Sequence, residues 1–508
     1  MNVLLITLDQ FRGDCLSVAG HPLVRTPNLD ELARAGVRLS RHYSQAAPCG
    51  PGRACLYTGT YQLNNRVVAN GTPLDARFDN IAHAARRQGY SPALFGYTDQ
   101  SVDPREVTGP DDPRLQHYSG VLPGFEAVLQ LPDDHEPWLQ WLRELGYAGI
   151  GSAYRELAKE PERPAEHSVS AFLTNHAIDW IEGQTQPWFA HLSYLRPHPP
   201  YAAAGKYSTM YSPDDVTLPI APAELRHVMH DFALQLQVTA APTDEAQMRA
   251  LRAQYYGMIT EVDAQLGRIW AALREHGMWD DTLIIVTADH GEQLGDHGLI
   301  QKVGYFEQSY HILGIIRDPG LPQSHGNVVE EFTENIDVFP TICDAIGSPI
   351  PDQCDGDSLV PLLRGETPAW WRDAAYWEFD WRDMFITDGA VAHPSDRSLE
   401  RHCLAVRRDE STMYVQFGDG SWLCFDIATD PTGRTEIKDP AIVLAQAQAM
   451  LGWRSDHTDR TLTGVVIDKG GRGRMPTGVP DGVGQIQTAT HFIARVDDSG
   501  RAGYGLRG

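Results

Sequence analysis

The sequence lacks a cysteine framework. Seven cysteines (Cys15, Cys49, Cys55, Cys343, Cys354, Cys403 and Cys424) are scattered over 508 residues. An odd, widely spaced set fits a reducing compartment better than a disulfide scaffold. Long apolar runs are missing too, so no stretch reads as a bilayer span. The opening "NVLLITLDQ" has neither a basic flank nor a small-residue cleavage site. It predicts a first strand rather than a secretory leader, and the cytoplasm is the expected compartment. Basic charge is scarce: Lys+Arg 42 against Asp+Glu 67 gives a net charge of −25. So acidic a surface argues against nucleic acid or an anionic membrane as partner. An anionic small molecule stays open, because a metal or a few cations can reverse the field locally. No internal repeat is visible.

What the sequence does have is an alternation of strand and helix. "VLLITL" (Val3 to Leu8), "SPALFGY" (Ser91 to Tyr97), "PWFAHLSYL" (Pro187 to Leu195) and "DTLIIVTADHG" are apolar runs of the kind that strands buried on both faces require. Between them lie helical segments. "TPNLDELARAGVRL" has Thr26 to cap, Pro27 for the first turn and Gly36 to end it. "EHSVSAFLTNHAIDWIEG" is amphipathic, and residues 247–276 space Met248, Leu251, Tyr255, Met258, Val262, Leu266, Ile269 and Leu273 by threes and fours. The expected fold is α/β: a mixed, mostly parallel sheet flanked by helices over residues 1–370. Residues 371–508 predict a smaller α+β unit. There, shorter strands carry the Asp-Gly hairpin signal of "FGDGSW", followed by the helix "AIVLAQAQAMLGWRSDH" and a Gly-rich tail from about Gly464.

In doubly wound sheets, ligands bind beyond the carboxyl ends of the strands. The residues there are Asp9 and Gln10, then Tyr97, Thr98 and Asp99, then His198 in "RPHPPY", then Asp289 and His290, with His297 and Lys302 beyond. Asp9, Gln10, Asp289 and His290 offer three oxygen donors and one imidazole. That set suits a divalent ion, with the histidine favouring Mn²⁺ over Ca²⁺. Each residue alone has a plainer reading: Asp9 as a cap or turn residue, His198 as a ring wedged in a proline turn, Lys302 as a solvated surface cation. Cys49 opens the segment "PCGPGRACLYTG" at the start of a short helix, with Arg53 one turn inside. It reads as an activated thiolate or as an inert buried thiol. Cys55 on the same helix reads as packing.

The segment "CGPGRACLYTG" resembles the Cys-x-Pro-x-Arg signature of type I sulfatases in the alkaline phosphatase superfamily. "LLITLDQ", "TPNLDELARAG", "NGTPL", "RPHPPY", "TADHGEQLGDHGLIQK" and "DGDSLVPLL" follow in the family's order, and "EFDWRDMF" and "RSDHTDRTL" extend the likeness toward the C-terminus. The chain is most similar to the phosphonate monoester hydrolase branch, with choline sulfatases more distant. The resemblance implies an alkaline-phosphatase-like fold and one divalent metal held by Asp9, Gln10, Cys49, Asp289 and His290. It also implies oxidation of Cys49 to formylglycine by a formylglycine-generating enzyme. The hydrated aldehyde would attack sulfur or phosphorus, and its second hydroxyl would then expel the bound group. Arg53 would steady the nucleophile. Lys302 and His198 would serve the leaving group, while Asn70, Tyr97 and Asp99 would face the substrate. His297 is expected as a supporting or structural residue, and a dimer or tetramer as the assembly.

Two departures stand out. Gly52 replaces the usual serine or alanine, which suggests added flexibility. Asp99 stands where relatives look to carry threonine. An ionised Asp99 would disfavour dianions and leave singly charged sulfate monoesters, phosphonate monoesters and phosphodiesters. Three functions are therefore carried forward. The first is a formylglycine-dependent phosphonate monoester hydrolase and phosphodiesterase with arylsulfatase activity, or the same enzyme used mainly as a sulfatase. The second is a metal phosphoesterase with unmodified Cys49, and the third a non-catalytic relative.

Overall fold

The computed structural model describes all residues except 110, 117–118, 225, 383–398, 459–465, 468–472 and 475–508. Most of the Gly-rich tail expected at subunit contacts, all but residues 466–467 and 473–474, and parts of "EFDWRDMF" and "RSDHTDRTL" lie outside the described residues.

The main sheet is built from β1 (Asn2–Leu8), β2 (Val37–Tyr43), β4 (Ala93–Gly96), β5 (Glu126–Gln130), β6 (Phe189–Tyr194), β7 (Thr282–Thr287), β8 (His311–Ile312), β9 (Gly314–Arg317) and β10 (Val328–Glu334). A two-residue strand, β3 (Ala46–Ala47), belongs elsewhere. The order is β10-β2-β9-β7-β1-β6-β4-β5, with β8 beside β2. β1 is central and parallel to both β6 and β7, and β4 is parallel to β6 and β5. β9 runs antiparallel to β7 and β2. Along β1, Leu4, Ile6 and Leu8 point into one core and Val3 and Leu5 into the other. Burial on both faces is why its sequence shows no polar alternation.

The long helix Glu245–Glu275 covers the first core, its N-terminus capped by the Asp244 carboxylate accepting from the Gln247 N–H. The helix Pro27–Arg34 packs on it. Two expectations for that shorter helix need correction. Thr26 makes no side-chain cap bond; its hydroxyl donates to Asp30 instead. Gly36 is not the stop: Ala35 is the C-cap, and a Cβ on Gly36 would stand 2.6 Å from the Ile316 carbonyl of β9. Its role is close approach of two strands.

The second sheet, in the order β14-β13-β12-β11-β3, contains β11 (Ala374–Asp380), β12 (Cys403–Asp409), β13 (Thr412–Phe417) and β14 (Trp422–Asp426). β11 to β14 are antiparallel, and the Asp-Gly hairpin joins β13 to β14 with Gly420 at φ 95°. The outer strand is β3, parallel to β11. The residues just ahead of Cys49 are thus anchored in the second sheet, a link that a two-residue strand does not announce in sequence.

Candidate active site

Four parallel strands bring their carboxyl ends together. β1 delivers Asp9 and Gln10, β4 delivers Tyr97 and Asp99, β6 delivers Ser193 and the loop to His198, and β7 delivers Asp289 and His290. The helix Cys49–Thr58 points its first residue into this cluster. All ten of its residues are buried, and Gly59, at φ 68°, closes it by donating to the Cys55 carbonyl. The Gly50 N–H donates to Asn70 Oδ1 at 2.8 Å. Asn70, expected on the substrate, here holds the N-terminal turn of this helix through its Oδ1.

One ligand atom each from Asp9, Cys49, Asp289 and His290 fall within 4.8 Å of one another, and all four residues are buried. His290 Nε2 is 3.3 Å from Cys49 Sγ, while its Nδ1 faces the Gly291 carbonyl at 3.0 Å. A proton on Nδ1 would leave the Nε2 lone pair for a cation. Gln10 sits beside the cluster at φ 70°. Its backbone N–H donates to Asp289 Oδ1 at 3.1 Å, its Nε2 donates to Glu292, and its Oε1 accepts from Lys302 Nζ at 2.9 Å.

Arg53 is fully buried and uses its whole fork. Nε donates to Asp289 Oδ2 at 3.0 Å, Nη2 to Asp9 Oδ2 at 3.3 Å and Nη1 to Ser193 Oγ at 2.7 Å. Its guanidinium also lies over the Tyr97 ring, 4.4 Å from the centroid. The Tyr97 hydroxyl donates to Asp9 Oδ2 at 2.6 Å, so its proton goes to a carboxylate of the cluster. Lys302 is only 8% exposed, and its Nζ reaches Cys49 Sγ at 3.3 Å. The solvated-lysine reading is thereby removed. His198 presents its Nδ1 to the Pro199 carbonyl at 2.9 Å, which leaves Nε2 as the nitrogen available to a ligand.

The electrostatics report an excess of negative charge. Three buried carboxylates, Asp9, Asp99 and Asp289, meet two buried cations, Arg53 and Lys302. Burial, then the neighbouring Asp9, pushes Asp289 up to about 6. Asp99 is pushed up to about 7 by burial and by Asp9 and Asp289, although Arg53 stands 3.7 Å away. Burial also works against ionisation of Asp9, but His198, Lys302 and Arg53 outweigh it and hold that carboxyl well below its ordinary range. Burial pushes His290 down to about 3, with Lys302 adding to the effect. Buried carboxylates that resist ionisation while a neutral imidazole stands beside them are what a site shaped for a cation contains. The donor set of oxygens, one nitrogen and the group at position 49 fits a divalent metal.

Two readings are narrowed and one changes. Burial and Asp9 push the Cys49 thiol up despite Lys302, so protein groups alone do not make it a thiolate. Gly52 does not lend flexibility: a Cβ there would lie 2.5 Å from the Asp289 carbonyl oxygen and 2.9 Å from that of Ala46. His297 is structural, stacked on Phe306 with ring centroids 3.5 Å apart. Cys55 is fully buried among apolar neighbours, as its packing role requires.

Sequence reasoning missed several supports. Glu292 accepts from both Gln10 Nε2 and the Tyr201 hydroxyl, and Tyr255 donates to the Gln10 carbonyl at 2.7 Å. Ser193 holds Arg53, and Asn335 donates to the Ala288 carbonyl at 2.6 Å. Glu292 follows the Asp-His pair closely enough to have been singled out; the others carry no local signal.

A mostly parallel α/β sheet whose strand ends gather buried donors suited to a divalent cation defines the class as an α/β protein with a strand-end cation site. The comparisons are more specific. Residues 1–348 match the sulfatase family, and residues 295–449 match the C-terminal region of N-sulphoglucosamine sulphohydrolase. A multifunctional alkaline phosphatase superfamily protein, PehA of Trinickia caryophylli, is 39% identical over 91% of this chain and 96% of its own length. An arylsulfatase of Clostridium perfringens is 27% identical over 86% of this chain and 90% of its own. The phosphonate monoester hydrolase of Agrobacterium radiobacter superposes with a TM-score of 0.85 at 43% identity, covering 94% of this chain and 100% of that one. The chain belongs to the sulfatase family of the alkaline phosphatase superfamily and is an ester hydrolase. Family membership implies a metal ion and a formylglycine. Among the described residues, no helix is long and apolar enough to cross a membrane.

Proposed function

We propose that this enzyme hydrolyses singly charged esters, namely phosphonate monoesters and phosphodiesters, with sulfate monoesters as further substrates. A divalent metal, Mn²⁺ in preference to Ca²⁺, would be held by Asp9, Gln10, Asp289, His290 and a Cys49-derived formylglycine. The observation that carries this reading is the convergence of Asp9, Cys49, Asp289 and His290 within 4.8 Å. When bound, such a metal would supply Lewis-acid stabilisation of negative charge, and a hydrated formylglycine at position 49 would supply the nucleophile.

The chain's own side chains do the rest. Arg53 fixes the two carboxylates at once, and Tyr97 donates to the same Asp9 oxygen, Oδ2, which leaves Oδ1 facing Cys49 and His290. Lys302 Nζ, within hydrogen-bonding distance of both Gln10 and position 49, would place a fixed cation beside the reacting group to stabilise charge on the leaving oxygen. His198 Nε2 would carry a proton to the departing alcohol oxygen. Asn70 sets the direction of the helix on which position 49 rides. Cys49, Pro51 and Arg53 are all buried, so a maturation enzyme reading that motif would act before the helix is packed.

A cytoplasmic location is supported by seven unpaired cysteines. A homodimer or tetramer is supported by the helix Pro440–Asp456, which carries no charge before Arg454 yet leaves Leu444 59% and Leu451 65% exposed. The division into a catalytic unit over 1–370 and a smaller unit over 371–508 follows the two sheets, with β3 crossing between them. The closeness to the Agrobacterium radiobacter hydrolase favours phosphonate monoesters over sulfate esters. Rates on matched aryl phosphonate, aryl phosphodiester and aryl sulfate substrates, with Mn²⁺ supplied, test this order. A sulfate ester hydrolysed fastest would make the enzyme primarily a sulfatase.

A further inference from the structure

The segment "RPHPPY", residues 196–201, is poor in its own donors, because Pro197, Pro199 and Pro200 have no N–H. Its carbonyls must be satisfied from elsewhere. Arg196, which is 0% exposed, does this from within the segment: its Nη1 donates to the His198 carbonyl at 2.8 Å and to the Pro200 carbonyl at 2.9 Å. The carbonyl between them, on Pro199, is turned the other way and meets His198 Nδ1. The opposite side of the guanidinium is held by Glu160, whose Oε2 accepts from Nε at 3.2 Å and also from Nη2. Glu160 is itself fixed, its Oε1 accepting the Val169 N–H at 2.8 Å. At the far end of the segment, the Tyr201 hydroxyl donates to Glu292 at 2.9 Å, the residue that also holds Gln10.

We propose that Arg196, clamped by Glu160, is a positioning residue for His198: by holding the carbonyls on either side of Pro199 it keeps the Pro199 carbonyl on Nδ1 and Nε2 aimed at the leaving group. The inference rests on the reading of His198 as the proton donor to the departing oxygen. In that step His198 acts as the imidazolium, with one proton on Nδ1 given to the Pro199 carbonyl and a second on Nε2 that the negative charge of a bound substrate favours. As the nucleophile at position 49 bonds to sulfur or phosphorus, the bond to the alcohol oxygen breaks and its electron pair stays on that oxygen. The Nε2 proton passes to it, leaving the ring neutral. A guanidinium is the side chain suited to this place. It offers Nη1 to two carbonyls while Nε and Nη2 engage one carboxylate, which a lysine ammonium on a flexible stem cannot reproduce.

The test separates proton delivery from general structural damage. Two esters of the same acid are compared, one with a good leaving group (4-nitrophenol) and one with a poor one (phenol), for wild type, His198→Ala, Arg196→Lys and the double variant. A misaimed acid costs the poor leaving group most. Arg196→Lys is expected to lose roughly tenfold more in kcat on the phenyl ester than on the nitrophenyl ester, with similar KM. Added to His198→Ala, it should cause no further selective loss. Equal loss on both esters by Arg196→Lys, while His198→Ala discriminates, would overturn the inference alone. Equal loss on both esters by His198→Ala would remove the proton-donor reading and the inference with it. If Arg196→Lys does not fold, Glu160→Gln, which keeps the shape of the clamp and removes its charge, carries the same comparison with the same two outcomes.

Discussion

Asp99 is where a single residue bears most on substrate choice. It sits at φ 50°, 8% exposed, and burial, with Asp9 and Asp289 adding to it, outweighs the pull of the nearby Arg53. A cation in the site would favour its ionised form, and that charge then opposes a second negative charge on the substrate. Asp99→Thr is expected to raise the rate on an aryl phosphate monoester relative to an aryl phosphodiester by about tenfold, the equivalent of 1.4 kcal/mol. Steady-state kinetics on the two esters decide it, and an unchanged ratio would detach Asp99 from selectivity. At this scale the sequence was legible for a physical reason. Asp9, Asp289 and His290 each close an apolar strand, and Cys49 opens a helix, so topology alone brings them together. The supports were not legible. Ser193, Tyr255 and Asn335 reach the site from across the sheet, and their partners are 47 to 245 residues away. The opposing carbonyls of residues 198 to 200 are equally invisible in a string of prolines.

At the scale of elements, the helix Cys49–Thr58 is wedged rather than merely packed. Gly52 faces two backbone oxygens that cannot retreat, one from the loop after β7 and one from β3. Gly50 faces milder company: its Cβ would lie 3.2 Å from Asn70 Oδ1 and 3.3 Å from the Asp99 carbonyl. Gly52→Ala should therefore destabilise by about 1–3 kcal/mol, and Gly50→Ala by less. Urea unfolding of the two variants checks the ranking, and a reversed order would contradict the wedge. The main strands and the long helix were readable because their apolar periods are long. β9 and β3 were not. Four and two residues are too short to show a period, and the antiparallel course of β9 depends on pairing with β7 and β2, not on its own residues. Gly36 and Gly52 share one lesson: a glycine in sequence does not tell a turn from a close approach.

At the scale of the whole molecule, buried titratable groups oppose one another. Burial pushes Asp99, Glu261, Asp263 and Glu334 up to about 7 and Asp289 to about 6. Folded, these carboxyls hold protons that the unfolded chain releases near pH 4, so each loses stability as pH rises from about 4 to about 7. Burial likewise pushes His42, His191, His198, His290 and His297 down to about 3, and His230 to about 4. The unfolded chain binds protons at these histidines first, so each loses stability as pH falls from about 6.5 toward 3. The two sets nearly cancel between pH 4 and 6.5. Above that range the raised carboxyls still act, and below it the histidines do, joined by Asp9, Asp14 and Asp409, whose carboxyls are held low and lose their stabilising charge as pH falls. The metal-free protein is expected to melt highest between about pH 4 and 6.5. Mn²⁺ should raise the melting temperature most above pH 6, where it relieves Asp289 and Asp99. A melting profile measured without and with Mn²⁺ checks both statements.

The central claim is that one divalent ion and an oxidised Cys49 share the pocket closed by Asp289. The most direct measurement is metal analysis of the purified protein together with the mass of the peptide carrying residue 49, for wild type and Asp289→Asn. The account predicts about one divalent ion per wild-type chain, a residue-49 peptide lighter than cysteine requires, and loss of the ion in Asp289→Asn with the peptide mass still shifted. An unmodified cysteine in wild type, or an ion retained in full by Asp289→Asn, would contradict it.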